Sequence, residues 1–246
     1  MQSDDTPDAA RHDSPAALVR LALALRAREL AEAAGGLVSA PAGAPGELAA
    51  DAARIAADAR QVLELAVTVE RAQSTTWEAL GYALGGISRQ AAQDRYGTAV
   101  NRWSERALHA WLVPARLADL DIDDPDKAIG RLTQWAQRQA TETGPGPADD
   151  PVGAVLPLTD TARTLTAVLD AGRLIRARQD AMWARQADGP NERADRQAVA
   201  ELAELELGYT RRKVELYERM TAQGDREAPL LLAEARARLA ELQAQR

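Results

Sequence analysis

Residues 75–97, TTWEALGYALGGISRQAAQDRYG, read as two short helices joined by a glycine-bearing turn. Thr75 stands three residues before Glu78, the spacing at which a hydroxyl and a carboxylate reciprocally satisfy backbone N–H groups at a helix start. Trp77, Leu80 and Leu84 recur at three- and four-residue steps and form one apolar stripe, and Gly81 is small enough for a second helix to approach closely. Gly85 and Gly86 end the run, because glycine takes positive φ without steric cost. Ile87 plugs the gap, and Ser88 is a suitable N-cap for the second helix. There Ala92 and Tyr96 lie four apart and pack inward, which leaves Arg89, Gln90, Gln93 and Asp94 facing outward.

This stretch resembles the helix-turn-helix superfamily of bacterial transcription regulators, in particular actinobacterial versions with a W-x-x-L/I-G-x-x-L-G…S-R-Q-A-A core. Trp77, Leu80, Gly81, Leu84, Gly85, Ile87, Ser88, Arg89, Gln90, Ala91 and Ala92 carry the likeness, which covers about a tenth of the chain. It departs at one point: a single glycine often precedes the apolar turn residue, whereas Gly85 and Gly86 lengthen this turn by one. The resemblance implies sequence-specific binding of double-stranded DNA, with the second helix in a major groove.

The side chains suit that role. Arginine can bond guanine O6 and N7 with two donors, and glutamine can match adenine N6 and N7, so Ser88, Arg89, Gln90 and Gln93 are the expected base-reading residues. Thr75, Thr76, Arg95 and Arg102 are expected at phosphates, where contacts position a protein without specifying sequence. Exposed arginine and glutamine are also ordinary helix-surface residues, and helix-turn-helix folds are reused in protein contacts.

Charge narrows the type of DNA binder. With 37 acidic against 30 basic residues the chain carries a formal charge of −7, whereas nonspecific nucleic-acid binders usually carry a basic surface. Residues 74–106 run against this balance, setting Arg89, Arg95, Arg102 and Arg106 against Glu78, Asp94 and Glu105. A protein requiring two correctly spaced half-sites fits this pattern better than a chromatin coat.

A length of 246 residues with 46% hydrophobic content is sufficient for one large or two modest domains. Phe is absent, and five Trp and four Tyr leave alanine and leucine to do most of the packing. Both favour helices and β-branched runs are scarce, so an all-α fold without strands is expected. Without cysteine there are no disulfides or thiolate ligands. The first apolar run, AALVRLALAL, is interrupted by Arg20 and follows an acidic start, and no segment approaches the length needed to span a membrane, so a cytoplasmic protein is expected.

The segmentation follows from capping and turn residues. A disordered acidic tail is expected over 1–13. Ser14 then caps a helix with Pro15 at its first position and Leu18, Val19, Leu21 and Leu25 on its apolar side, ending near Ala34 where Gly35 and Gly36 stop it. GGLVSAPAGAPG reads as a loop. A second helix is expected from Glu47 to Gln73, with Ile55, Val62, Leu65 and Val69 at helical spacing. Beyond Gly97, Val100, Trp103, Leu108 and Trp111 fit a buried side, and Pro114 marks a kink or an end. DLDIDDPD fails as a calcium loop starting at Asp119, because Asp124 and Gly130 occupy the glycine and glutamate positions. Asp124 capping a helix that starts at Pro125, and bears Ile129, Leu132 and Trp135, explains the run better.

Residues 142–157, ETGPGPADDPVGAVLP, hold four prolines and three glycines and mark the expected linker between a helical domain over 14–141, containing the helix-turn-helix at 75–97, and a helical region over 158–246. That region divides into pieces near 159–187, 191–222 and 226–245, and its short loops imply antiparallel neighbours. Leu202, Leu205, Tyr209, Leu216 and Met220 lie close to a heptad seam, while Leu231, Ala235, Leu239 and Leu242 stripe the last piece. Burial within one chain and burial across a dimer or higher oligomer satisfy these stripes equally. Arg211, Arg212 and Lys213 form a compact basic cluster, read as a solvated face balancing Glu204, Glu206, Glu215 and Glu218.

Catalysis has little support. The only histidines are His12 and His109; no triad, metal cluster, P-loop or dinucleotide fingerprint can be assembled, so neither an enzyme nor a cofactor or metal is expected. Two functional readings remain: a DNA-binding transcription regulator, and a non-enzymatic interaction protein (adaptor, antitoxin or assembly subunit) that uses the motif against a protein partner.

Overall fold

The computed structural model describes residues 13–40, 44–143, 156, 160–188 and 192–245. The fold is all-α. Its helices are α1 (Pro15–Val38), α2 (Glu47–Ala72), α3 (Trp77–Ala83), α4 (Arg89–Leu112), α5 (Pro125–Thr143), α6 (Thr161–Asp188), α7 (Glu192–Ala222) and α8 (Ala228–Ala244), with a 3₁₀ helix over Pro114–Leu120. No strand occurs among the described residues. Nor is any helix among them long and apolar enough to cross a membrane. The expected tail and linker lie almost wholly outside the described residues.

Helix starts follow the sequence closely. Ser14 Oγ accepts from the Ala17 N–H at 3.1 Å with Pro15 at the first position of α1. Asp124 Oδ1 accepts from the Lys127 N–H at 3.1 Å and opens α5 at Pro125. The first and largest cause, that backbone hydrogen bond, holds the Asp124 carboxyl below its ordinary value. α1 does not stop at Gly35 and Gly36 but continues through both to Val38. Glycine inside a helix costs about 1 kcal/mol relative to alanine, a penalty that weakens a helix without terminating it. Neither glycine takes positive φ, the conformation that ends a helix at a glycine elsewhere in the chain.

The chain packs as two units: residues 1–107 with 117–158, and residues 108–116 with 159–246. In the first, α1 lies against α2 and α5. Leu18, Leu21, Leu25, Leu65, Leu120, Ile122 and Leu132 are buried. The acidic run contributes a long-range tie, since Arg26 donates to Asp121 as well as to Glu29 in its own helix.

In the second unit α6, α7 and α8 pack in sequence, α7 contacting both neighbours. Residues 108–116 join this unit, which differs from a division made only at the proline-rich stretch. The close approach depends on Gly208: a Cβ there would lie 2.2 Å from the Leu112 carbonyl oxygen. Arg212 then donates from Nε and Nη2 to the Trp111 carbonyl oxygen at 3.2 and 2.9 Å, and its guanidinium lies 4.7 Å from the Trp111 ring centroid. The basic cluster is therefore not uniformly a solvated face. Arg211 is exposed, but Arg212, its side chain only 17% exposed, satisfies a carbonyl in the last turn of α4 and pairs with Glu215 at 2.8 Å.

Candidate nucleic-acid interface

α2 supplies the base on which the two motif helices sit. Val67 from α2, Leu80 from α3 and Tyr96 from α4 form one buried cluster, with Trp77, Leu84 and Val100 packed around it. The residues expected to face inward therefore do so, and Ala92 is fully buried. Arg71, near the end of α2, donates to the Thr75 carbonyl and places its guanidinium 5.0 Å from the Trp77 ring centroid. These contacts tie the entry of α3 to the helix before it.

The N-cap of α3 is Thr76, whose hydroxyl accepts from the Ala79 N–H at 3.1 Å, not Thr75. Thr75 instead donates its hydroxyl hydrogen to Glu70 at 2.7 Å, and its N–H bonds the Glu70 carbonyl at 3.1 Å. Only Thr75 has the capping-box spacing to Glu78, but both threonines offer a capping hydroxyl, and the left-handed Ser74, at φ 68°, lies at the turn where the first is directed back to α2.

The turn between α3 and α4 uses both glycines in the left-handed region, at φ 96° for Gly85 and 77° for Gly86. The Gly86 N–H bonds the Tyr82 carbonyl at 3.1 Å, and the Ile87 N–H bonds the Gly81 carbonyl at 3.0 Å. A one-glycine Schellman turn closes its outer bond from the second residue past the cap; here the closing donor lies one residue further on. Gly81 has no room for a side chain, since a Cβ would stand 2.3 Å from the Ile87 carbonyl oxygen. Ser88 then accepts from the Ala91 N–H at 3.1 Å and starts α4.

At the opening of α4, Ser88, Arg89, Gln90, Gln93 and Asp94 are all exposed. Gln90 donates from Nε2 to Asp94 Oδ1 at 2.8 Å, so one of its amide hydrogens is engaged within the helix. The expected phosphate residues are less alike. Thr76 and Arg95 are exposed, with Arg95 lying 5.5 Å from the Tyr96 ring centroid, whereas Thr75 is half-buried and bonded to Glu70. Arg102, further along α4, pairs with Glu64 at 2.6 Å and lies 5.8 Å from the Trp103 ring centroid.

Sequence reasoning passed over Tyr82. It is 85% exposed, lying two residues from Leu80 and therefore off the buried stripe of α3, a position that helical spacing alone could have identified. Among the described residues, no group of three or more His, Cys, Asp and Glu side chains is placed to hold a metal ion. Comparison with known proteins finds no matching family model, no matching curated protein and no matching solved structure.

Proposed function

We propose that this chain is a sequence-specific DNA-binding protein, a transcription regulator that reads a major groove with the start of α4. The observation that carries the reading is the joint exposure of Arg89, Gln90 and Gln93 on the first turns of a helix whose opposite side is fixed by Ala92 and Tyr96. Their donors and acceptors match base edges. Arg95 and Thr76 supply backbone contacts, with Arg102 as a further candidate. One such helix reads only a few base pairs, so a homodimer on paired half-sites is part of the proposal, and Leu165 and Leu169, exposed four residues apart on α6, provide apolar surface for association. A cytoplasmic location accords with this function.

The test is selection of bound genomic fragments by the purified chain, followed by a salt series on the enriched site. Specific retention that weakens steeply with salt, and by at least tenfold with Arg89→Ala, is the expected result. Sedimentation on the enriched site would count the copies bound. The formal charge of −7 and the exposed Tyr82 favour a second reading, in which the motif docks on another polypeptide. Failure to retain any fragment even at low salt would select it.

A further inference from the structure

A cleft of about 360 Å³ lies between α6, α7 and α8, within the second unit. Ile175, Leu231 and Ala235 give it apolar walls, while Glu206, Lys213, Glu234 and Arg238 bring two carboxylates and two cations to it. One group of each sign is already engaged. Arg238 stands 3.7 Å from Glu206 and 3.1 Å from Glu241, and Glu206 also accepts from Gln179 at 3.1 Å. Lys213 on α7 and Glu234 on α8 form no ion pair or hydrogen bond among the described residues, with each other or with any third group. Lys213, the last member of the basic cluster, is half-buried, its Nζ 5.6 and 5.7 Å from the ring centroids of Tyr209 and Tyr217. Gly172 makes room for that arrangement, since a Cβ there would lie 3.3 Å from the Tyr209 hydroxyl oxygen. Ring faces attract an ammonium group but leave its three N–H donors without an oxygen.

We propose that this cleft binds a small aliphatic α-amino acid as its zwitterion, the carboxylate held by Lys213, the ammonium by Glu234 and the side chain against Ile175 and Leu231. With Glu206 and Arg238 cancelling one another, the two unengaged charges are equal, opposite and carried by neighbouring helices. Such a pair favours a ligand bearing both signs, because a simple anion or cation would leave one of the two unmatched. Charge-assisted hydrogen bonds at both ends then fix the ligand's orientation. The volume sits near the lower end of the range of roughly 300–1,000 Å³ typical of ligand pockets, which suits a free amino acid better than a nucleotide or a peptide. The proposal is independent of DNA reading, because every lining residue belongs to the second unit.

Calorimetry and ligand-observed NMR on the full chain test it, using free leucine beside leucinamide, which lacks the carboxylate, N-acetylleucine, which lacks the ammonium, and glycine, which lacks the apolar body. Leucine should bind at least tenfold more tightly than each of the three. Lys213→Met should weaken leucine binding tenfold or more and erase the preference over leucinamide, and Glu234→Gln should do the same for the preference over N-acetylleucine. Glu234 is exposed, so Glu234→Gln should keep the parent's melting curve and decides the matter even where Lys213→Met unfolds. No bound leucine, equal binding of leucine and either blocked derivative, or unchanged selectivity in Glu234→Gln would overturn the proposal.

Discussion

The Gly81 Cα hydrogen faces the Ile87 carbonyl so closely that a methyl group in its place would stand 2.3 Å from the oxygen, while the same two residues share a backbone hydrogen bond of 3.0 Å. Contact and hydrogen bond together fix the separation between the end of α3 and the start of α4. Gly81→Ala is accordingly expected to destabilise the fold by about 1–3 kcal/mol, the usual cost of overpacking where backbone must move. A lower urea midpoint with an unchanged slope would be the signature, and an unchanged midpoint would contradict the contact.

The two turn glycines should behave differently, because a Cβ at Gly85 or Gly86 meets nothing within 4 Å. Only their positive φ penalises a side chain, and each alanine substitution should cost about 1–2 kcal/mol. Asparagine, which tolerates this region better, should recover part of the loss at either position. Thermal melts of the four single variants would separate backbone strain from crowding.

Arg212→Ala should lower stability by about 1.5–3 kcal/mol, the range for hydrogen bonds involving a charged group. Arg212→Lys should restore only a fraction, since an ammonium cannot bond the Trp111 carbonyl through two donors while lying flat on its indole. Indole fluorescence during denaturation would report the change.

Arg102 offers a way to separate structure from nucleic-acid contact. Its half-exposed pair with Glu64 is worth about 0–1 kcal/mol, so Arg102→Ala should leave the melting temperature nearly intact. If the side chain leaves Glu64 for a phosphate on binding, the same variant should reduce the salt slope of DNA affinity by about one. An unchanged slope would assign Arg102 to the fold.

Acid should act on the start of α5 through Asp124. Its carboxyl is held below the ordinary value by the Lys127 N–H and then by the Lys127 side chain. A carboxyl lowered in the folded state contributes stability above its ordinary titration range, and that contribution is lost as pH falls through the lowered value. Asp124→Asn keeps a competent cap but removes the charge. The variant should therefore show less acid dependence of stability, and a carbon-detected titration of Asp124 should give a midpoint below that of an unstructured aspartate.

What could be read from sequence was local. Ser14, Ser88 and Asp124 occupy the expected caps, and the inward positions of α3 and α4 follow from a helical period that Leu80, Ala92 and Tyr96 obey. The spacing to Glu78 points to Thr75, but Thr76 caps α3 while Glu70 engages Thr75. Gly35 and Gly36 show the converse, since a turn-forming residue inside a helix need not turn. The ties from Arg26 to Asp121 and from Arg212 to Trp111 span 95 and 101 residues, beyond any periodicity. The exposed side chains at the start of α4 were foreseeable, whereas the engagement of Gln90 by Asp94 and of Arg102 by Glu64 required coordinates.

The burial of Trp111 by the C-terminal helices has a practical corollary for anyone dissecting this protein. A piece cut at residue 141, where composition invites the scissors, would leave Trp111 without Arg212 and Leu112 without Gly208, and the remaining piece would lack the segment that packs on Gly208. Transplanting one half onto another protein at the proline-rich stretch would tear a structural unit instead of separating two.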